Sequence, residues 1–308
     1  MPSHKYPNVS IIGAGRVGSS LAVALHEAGY RVVSIISRTG PASIALARSV
    51  RCKKASTRIE DVDSSTELVL IAVPDEAISG VAKELASAKR LKFSNMFVAH
   101  TSGVYSSVLL EPLRRKGALV ASIHPIQTFP EGRKRTKVQG IYFGIEGEMA
   151  AVGRAGKIVN DLGARSVVVP ESLKALYHAA CVFSSGYLVV MLNAIQQLAG
   201  ILGLKASWTE VFGPLMTSAM ENTIKSSAGE SLTGPVMRKD LKTIALHLES
   251  LARHAPEFVP LYLVAGIEAA RVASEHHRMT EEEYRTVVDH FKKFLTSIPT
   301  IKKSKGKK

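Results

Sequence analysis

The stretch VSIIGAGRVGSSLAVALHEAGYRVVSIISRTG, residues 9–40, decides the fold. It contains a G-x-G-x-x-G triplet that follows an apolar, strand-like run and opens a helical pattern. The first glycine permits a tight turn, the second admits a pyrophosphate to the backbone, and the third lets helix and strand pack closely. The free N–H groups at the helix start favour phosphates. The stretch therefore predicts a dinucleotide cradle, formed by Gly13, Ala14, Gly15, Arg16, Val17 and Gly18.

The end of the second apolar run indicates which dinucleotide this cradle takes. In NAD-binding versions an acidic residue about 20 residues further on holds the ribose 2′-hydroxyl. Here Ser37 and Arg38 occupy that place. A guanidinium pairs with a 2′-phosphate, whereas a carboxylate would repel it. The sequence therefore favours NADP(H) over NAD(H).

The composition of the 308 residues is that of a soluble globular protein, with 46% apolar and 21% charged residues. The richest apolar run, AACVFSSGYLVVMLNAI, is short and interrupted, so no membrane span is expected. The N-terminal residues lack the apolar core of a signal peptide. Cys52 and Cys181 lie far apart without metal-ligand spacing, which favours a reducing compartment. These features predict a cytoplasmic protein.

The formal net charge of +14 is concentrated in a few segments. Five lysines lie in the final KKSKGKK, and residues 299–308 are predicted to form a disordered tail. A second basic run, GRKRTK at 132–137, is predicted to be a loop. No groove-reading motif and few aromatic residues accompany these charges, so nucleic acid is not expected as a partner. A polyphosphate cofactor or an anionic substrate explains basic clefts equally well.

The pattern of strands and helices divides the chain into two domains. Up to Pro170, apolar strand-like runs alternate with helical stretches, which predicts an α/β, Rossmann-type doubly wound and mostly parallel sheet. From Glu171 only helical patterns remain, beginning with one long, largely buried helix. We therefore predict a dinucleotide-binding domain at 1–170 and an all-α domain at 171–298. A helix apolar around most of its circumference needs cover on several sides, which predicts a homodimer through the helical domain.

Ligands in such sheets bind beyond the carboxyl ends of the strands, where three polar motifs fall. Val73 and Pro74 end one strand and are predicted to form a wall beside the cofactor. The HTSG motif ends the next strand and brings His100 and Ser102. The HPIQTF motif ends the strand after that. It contributes His124, Gln127 and Thr128. A single histidine is usually structural, but two at equivalent strand ends make structural and catalytic roles equally plausible.

Two further candidates lie in the helical half. Lys174 and His178 are four residues apart and share one helix face. Carbonyl reduction needs a proton or positive charge at the oxygen, which a lysine of lowered pKa supplies; the alternative is an exposed helix lysine. Arg238, in SLTGPVMRKD, has the charge to bind an anionic substrate, although this segment also fits a simple helix break.

Taken together, the glycine triplet, HTSG, HPIQTF, KALYHAA and LTGPVMRKDLKTIALHLESL resemble one family. These are the Rossmann-like proteins with a helical C-terminal region known as domain of unknown function 2520. The resemblance covers nearly the whole chain except the lysine tail. It implies kinship with the 6-phosphogluconate, hydroxyisobutyrate, prephenate, ketopantoate and pyrroline-carboxylate reductases and dehydrogenases. It also implies NADP binding and dimerisation through the helical domain.

The resemblance implies a role for the helix lysine. In β-hydroxyacid dehydrogenases a helix lysine, with an asparagine one turn later, orients and protonates the substrate oxygen. Lys174 matches that lysine, whereas His178 stands where the asparagine would be. His178 is then either an orienting donor or a second acid.

The sequence as a whole predicts an NADPH-dependent reductase of a small anionic 2-oxo acid. Some relatives serve as ketopantoate reductases, so ketopantoate (2-dehydropantoate) is the leading substrate. In this hypothesis Lys174 polarises the carbonyl, Ser102 or His124 positions it, and Arg238 or a nearby base holds the carboxylate. Two alternatives stay open: a reductase of cyclic imines such as pyrroline carboxylate, and a non-catalytic NADPH-binding sensor of redox state.

Overall fold

The structure is a computed structural model that describes residues 6–131 and 135–297. Its single sheet has the strand order β3-β2-β1-β4-β5-β6-β7-β8, parallel except for the antiparallel pair β6–β7. The strands are β1 (Asn8–Ile12), β2 (Arg31–Ile36), β3 (Ala55–Ser56), β4 (Leu68–Ile71), β5 (Phe97–His100), β6 (Leu119–Pro125), β7 (Tyr142–Gly147) and β8 (Arg165–Val168). The predicted doubly wound α/β fold is confirmed, and the short edge strand β3 is an addition to it.

Helices connect the strands and then continue alone to the end of the described chain. The helices of the sheet region are α1 (Arg16–Glu27), α2 (Gly40–Ser49), α3 (Ile78–Ala86), α4 (Glu111–Arg114), α5 (Met149–Asp161) and α6 (Lys174–Val182). Those that follow are α7 (Leu188–Ile201), α8 (Trp208–Lys225), α9 (Ala228–Ser231), α10 (Leu241–His254), α11 (Val259–Glu275) and α12 (Glu281–Ser297). Side-chain caps fix several of these starts; for example, Ser207 forms a capping box before α8, and Asp240 accepts a hydrogen bond from the Thr243 N–H at α10.

Apolar side chains cover both faces of the sheet. One layer includes Ile35, Phe97 and Phe143, and the other includes Ile71 and Val98, all fully or almost fully buried. Burial on both faces explains why the strands are continuous apolar runs rather than alternating ones.

The strand register aligns the strand ends that carry the candidate residues. Ile12 pairs with Ile71, Ile71 with His100, and His100 with Ser122 across four parallel strands. On the far side of β6, Ser122 lies opposite Glu146 of the antiparallel strand β7. The glycine turn, the HTSG turn and the end of β6 therefore share one edge of the sheet.

The chain divides into two compact units, the first ending at Tyr187 and the second beginning at Leu188. Helix α6 belongs to the first unit, and the domain boundary at Pro170 stays a prediction. The second unit has its own core, in which α10, α11 and α12 bury Ile244, Leu263 and Phe291. The predicted lysine tail at 299–308 and residues 132–134 of the predicted basic loop lie outside the described residues.

Helix α6 continues through a π-helical turn at Phe183–Tyr187 into α7. The resulting helix, Glu171–Ile201, has 31 residues and is long and apolar enough to cross a membrane by length and composition alone. The expectation that no segment reaches this length was wrong, because Ser184, Ser185 and Gly186 continue the helix instead of interrupting it. The expected burial is also absent within one chain, since Leu176, Phe183 and Val189 are exposed.

Candidate active site

The glycine turn between β1 and α1 has the shape that a dinucleotide phosphate requires. Gly13 has φ +109°, and its amide donates to the carbonyl of Ile36 at 2.8 Å. A Cβ on Gly13 would overlap the carbonyl of Ala72, and a Cβ on Gly18 would overlap the carbonyl of Gly13. At Gly15 a Cβ would meet nothing within 4 Å. The first and third glycines thus close the turn, while the second leaves open space for a ligand.

The start of α1 leaves its backbone donors available to that ligand. Gly15 is the N-cap residue, so no side chain caps the helix, and the first turn holds no acidic residue. The open N–H groups and the helix dipole suit a pyrophosphate. Ala14 and Val17 are half-buried, and both pack against the core. Arg16 is exposed, with its guanidinium 3.5 Å from the carboxylate of Glu131.

The residues after β2 fit a cofactor with a 2′-phosphate. Ser37 is half-buried and Arg38 is exposed, and both follow Ile36, which the Gly13 amide contacts. No acidic residue occurs between Ser37 and Gly40. On the other side of the turn, half-buried Val73 and exposed Pro74 follow Ala72, whose carbonyl lies against Gly13. The predicted cradle residues are thus neighbours along one edge.

Lys174 is a buried residue at the same edge of the sheet. It is 2% exposed, which excludes the alternative of an exposed helix lysine. Its Nζ donates to Ser122 Oγ at 2.7 Å and to the carbonyl of Ser102 at 3.4 Å. Burial lowers the pKa of Lys174, and the carboxylates of Glu146 and Asp75 oppose that shift. A lysine in this setting gives up its proton more readily than one in water.

His124 and Tyr177 form a hydrogen-bonded pair beside this lysine. His124 Nδ1 lies 2.7 Å from the Tyr177 hydroxyl. The close approach depends on Gly144, opposite His124 in β7, because a Cβ there would overlap that hydroxyl. Burial lowers the pKa of His124 to about 4, with His178 and Lys174 adding to the shift. Burial also raises the pKa of Tyr177, so both groups are neutral near pH 7.

His178 completes a group of aromatic rings around Gly103. Its ring centroid lies 5.6 Å from that of His124 at nearly a right angle. A Cβ on Gly103 would overlap Nδ1 of His178 and lie 2.9 Å from Nε2 of His124. The buried Nδ1 of His178 has no hydrogen-bond partner among the described residues. Because Gly103 has no side chain, both imidazoles can lie against the HTSG turn.

His100 is placed differently from the prediction. It is fully buried, its Nε2 contacts the carbonyl of Ser106 at 2.9 Å, and its Nδ1 accepts from the Ser102 amide at 3.2 Å. Burial lowers its pKa to about 4. With both nitrogens occupied by the turn, His100 does not serve as a substrate contact in this structure. It holds the turn that carries Ser102.

Ser102 also acts through its backbone rather than its hydroxyl. Its side chain is 4% exposed and accepts a hydrogen bond from the Tyr105 amide at 3.1 Å. Its carbonyl accepts from Ser122 Oγ at 2.9 Å and from Lys174. The structure therefore brings Ser102, His124, Lys174 and His178 together, with Ser102 orienting Lys174.

The remaining predicted substrate residues lie on the surface. Gln127 and Thr128 are exposed at the end of β6, where the Gln127 side chain accepts from the Thr128 amide at 2.8 Å. Arg238 belongs to the second unit and is exposed in the segment before α10. Their predicted contacts with substrate stay predictions.

Sequence reasoning left three residues out of the site: Ser122, Glu146 and Tyr177. Ser122 lies two positions before His124 on β6, so strand alternation places both on one face. Tyr177 lies three positions after Lys174, which is a neighbouring position on a helix. Glu146 is an acidic residue in an otherwise apolar strand. That lone acid was the available signal, since buried carboxylates need a partner.

Two family models match the chain. Residues 4–125 match a Rossmann-like domain, and residues 141–268 match the domain of unknown function DUF2520. No curated protein matches the chain.

Solved structures with this architecture have low sequence identity to the chain. BF3122 from Bacteroides fragilis, named as an NADP oxidoreductase, has 24% identity and a TM-score of 0.72 over 87% of this chain and 99% of its own. TM1727 from Thermotoga maritima has 26% identity and a TM-score of 0.65 over the same shares. An imine reductase from Streptomyces aurantiacus has 17% identity and a TM-score of 0.59 over 94% of this chain and 95% of its own. These likenesses confirm the fold.

Proposed function

We propose that this chain, a Rossmann-like protein with a DUF2520 domain, is an NADPH-dependent reductase of a small anionic 2-oxo acid. The observation that carries the proposal is the buried Lys174, which lies beside neutral His124 at the same sheet edge as the glycine turn. Ketopantoate (2-dehydropantoate) is the leading substrate. The likeness to a protein named as an NADP oxidoreductase supports the class of reaction.

The cradle residues fit a nicotinamide dinucleotide with a 2′-phosphate. Gly13 and Gly18 would close the turn, Gly15 and the open N–H groups of α1 would face the pyrophosphate, and Ser37 with Arg38 would hold the 2′-phosphate. When bound, NADPH supplies the hydride that reduces a carbonyl carbon.

The chain itself supplies the proton and the orientation. The Lys174 ammonium donates a hydrogen bond to the substrate oxygen and transfers its proton as negative charge develops there. Ser122 and the Ser102 carbonyl fix the direction of Nζ, leaving one of its three hydrogens for the substrate. His124, held by Tyr177, positions the substrate as a neutral imidazole.

An initial-rate assay of NADPH absorbance tests this function. Purified protein is mixed with NADPH and ketopantoate, and NADH replaces NADPH in a parallel reaction. Consumption that requires both ketopantoate and NADPH is expected. If NADPH binds but no 2-oxo acid is reduced, the assignment of substrate is wrong.

Reduction of a cyclic imine is the second candidate, because the imine reductase from Streptomyces aurantiacus shares the fold across nearly the whole chain. An imine substrate needs less help from a general acid, so turnover should tolerate loss of Lys174. Pyrroline carboxylate in the same assay discriminates between the two candidates. A non-catalytic NADPH sensor would bind NADPH tightly and consume it with neither substrate.

We also propose a cytoplasmic homodimer that pairs through the helical unit. Both cysteines are free, in keeping with a reducing compartment. Large apolar side chains are exposed on α7 and α8, among them Val189, Leu215 and Ile224. Many exposed large apolar side chains on two neighbouring helices of a single chain are typical of an obligate interface.

A further inference from the structure

A buried carboxylate lies next to the proposed active site. Glu146, in β7, is 5% exposed. Its two oxygens accept hydrogen bonds from Ser107, one from the amide at 2.7 Å and one from the hydroxyl at 2.8 Å. Burying an ionised carboxylate is costly, so such groups are retained where hydrogen bonds and an opposite charge compensate them.

The position of Glu146 relates it to Lys174. Glu146 lies opposite Ser122 in the β6–β7 pair, and Ser122 Oγ accepts from Lys174 Nζ at 2.7 Å. Within residues 6–131 and 135–297, no direct ion pair involves either group. The two charges therefore act on each other through a weakly polar interior rather than through contact.

Glu146 also anchors the turn that orients Lys174. Ser107 follows Ser106, whose carbonyl contacts His100, and that histidine accepts from the Ser102 amide. The Ser102 carbonyl is in turn an acceptor for Lys174. Three side chains thus fix the turn from Ser102 to Ser107: His100, Ser102 and Glu146.

We propose that Glu146 is a positioning residue, which holds the Ser102–Ser107 turn and supplies the negative charge that keeps Lys174 protonated. The catalytic part of this inference rests on the proposed function. Of the other groups near Lys174, His100 and His124 are neutral. Asp75 also raises the pKa of Lys174, but it is only partly buried and its charge is therefore more strongly screened by water than that of Glu146. Glu171 is exposed, and its carboxylate accepts from Ser106 Oγ.

The substitution Glu146→Gln separates charge from shape. Glutamine keeps an oxygen for Ser107 but removes the negative charge, so the pKa of Lys174 should fall further. An opposite charge at close range shifts a pKa by about one unit or more. The alkaline limb of kcat against pH should therefore move down by about one unit, whatever the height of the acidic plateau, while the Kd for NADPH stays near wild type.

Two other variants serve as controls. Glu148→Gln removes an exposed carboxylate of the same segment, which pairs with Arg114, and should leave the profile unchanged. Glu146→Asp keeps the charge but shortens the reach to Ser107. It should lower kcat without moving the alkaline limb, and it carries the test if Glu146→Gln does not fold.

A titration by NMR keeps this inference separate from the proposed substrate. Protein labelled with ¹³C at the lysine Cε, with the Lys174 signal assigned from Lys174→Arg, is titrated without substrate. A lower titration midpoint for Lys174 in Glu146→Gln than in Glu148→Gln supports the inference even if ketopantoate is not reduced. Two results would overturn it: equal titration midpoints of Lys174 in Glu146→Gln and Glu148→Gln, or a shift of the alkaline limb of kcat against pH in Glu146→Asp.

Discussion

At the scale of single residues, burial decides the chemistry of the site. Lys174, His100 and His124 are polar groups within or beside the core, and burial lowers the pKa of each. The sequence identified these residues by their place at strand and helix ends. It did not separate their roles, because the roles depend on which ring nitrogen faces the backbone and which faces the substrate side.

Two of these buried histidines make folding stability depend on pH. His100 and His124 have a pKa of about 4 in the folded chain, below the ordinary 6.5. Between those values the unfolded chain binds more protons, so stability is complete above pH 6.5 and falls as pH drops toward 4. Chemical denaturation from pH 7 to 4.5 should show a loss of a few kcal/mol. His100→Gln should reduce this slope, and an unchanged slope would mean that His100 titrates normally.

Arg38 is predicted to choose the cofactor. A charge-assisted hydrogen bond to a 2′-phosphate contributes about 1.5–3 kcal/mol. Arg38→Ala should therefore raise the Kd for NADPH by roughly 10- to 100-fold and change that for NADH little. Arg48→Ala, an exposed arginine on α2, is the matched control. Equal weakening of both cofactors by Arg38→Ala would remove Arg38 from the 2′-phosphate site.

At the scale of elements, helix α6 packs closely on strand β7 and on the HTSG turn because each of them has a glycine at the point of contact. Gly144 in β7 makes room for the Tyr177 hydroxyl, and Gly103 makes room for the rings of His124 and His178. Because neither glycine has a positive φ, sequence-based turn rules gave no reason to single them out. Only the packing of α6 against the strand ends reveals why side chains are missing there.

The substitution Gly103→Ala tests this packing. Its Cβ would overlap His178 and crowd His124, so we expect loss of about 1–3 kcal/mol of stability and a lower kcat. Gly153→Ala is the control, since it lies in α5 with nothing within 4 Å of the new Cβ. That variant should be neutral or more stable by up to about 1 kcal/mol. Equal stability for the two variants would show that α6 packs less closely on the turn.

The first unit of the chain was the more predictable part of the fold. The alternation of strands and helices was recognisable because burial on both faces makes central strands such as β4 and β5 continuous apolar runs. The strand β3 escaped prediction, since two residues are too few to show a periodicity. The buried Glu146 escaped because its partner Ser107 is 39 residues away.

At the scale of the whole molecule, the exposed apolar side chains of the helical unit predict association. Val189 and Leu215 are 62% and 69% exposed in the single chain. Light scattering after size exclusion should give twice the monomer mass. Val189→Glu or Leu215→Glu should shift the protein to monomer or to aggregate, because a charge would be buried at the interface. Met149→Glu, an exposed residue of the first unit, should leave the mass unchanged. A wild-type monomer would contradict the proposed dimer.

The most direct test of the account compares Lys174→Met with wild type for turnover of ketopantoate and for binding of NADPH. Loss of a general acid lowers kcat by roughly 10²- to 10⁴-fold. Because Lys174 lies outside the glycine turn, the Kd for NADPH should stay within about threefold of wild type. A large fall in kcat at unchanged NADPH affinity is the predicted result. Full turnover by Lys174→Met would contradict the central claim that this buried lysine protonates the substrate.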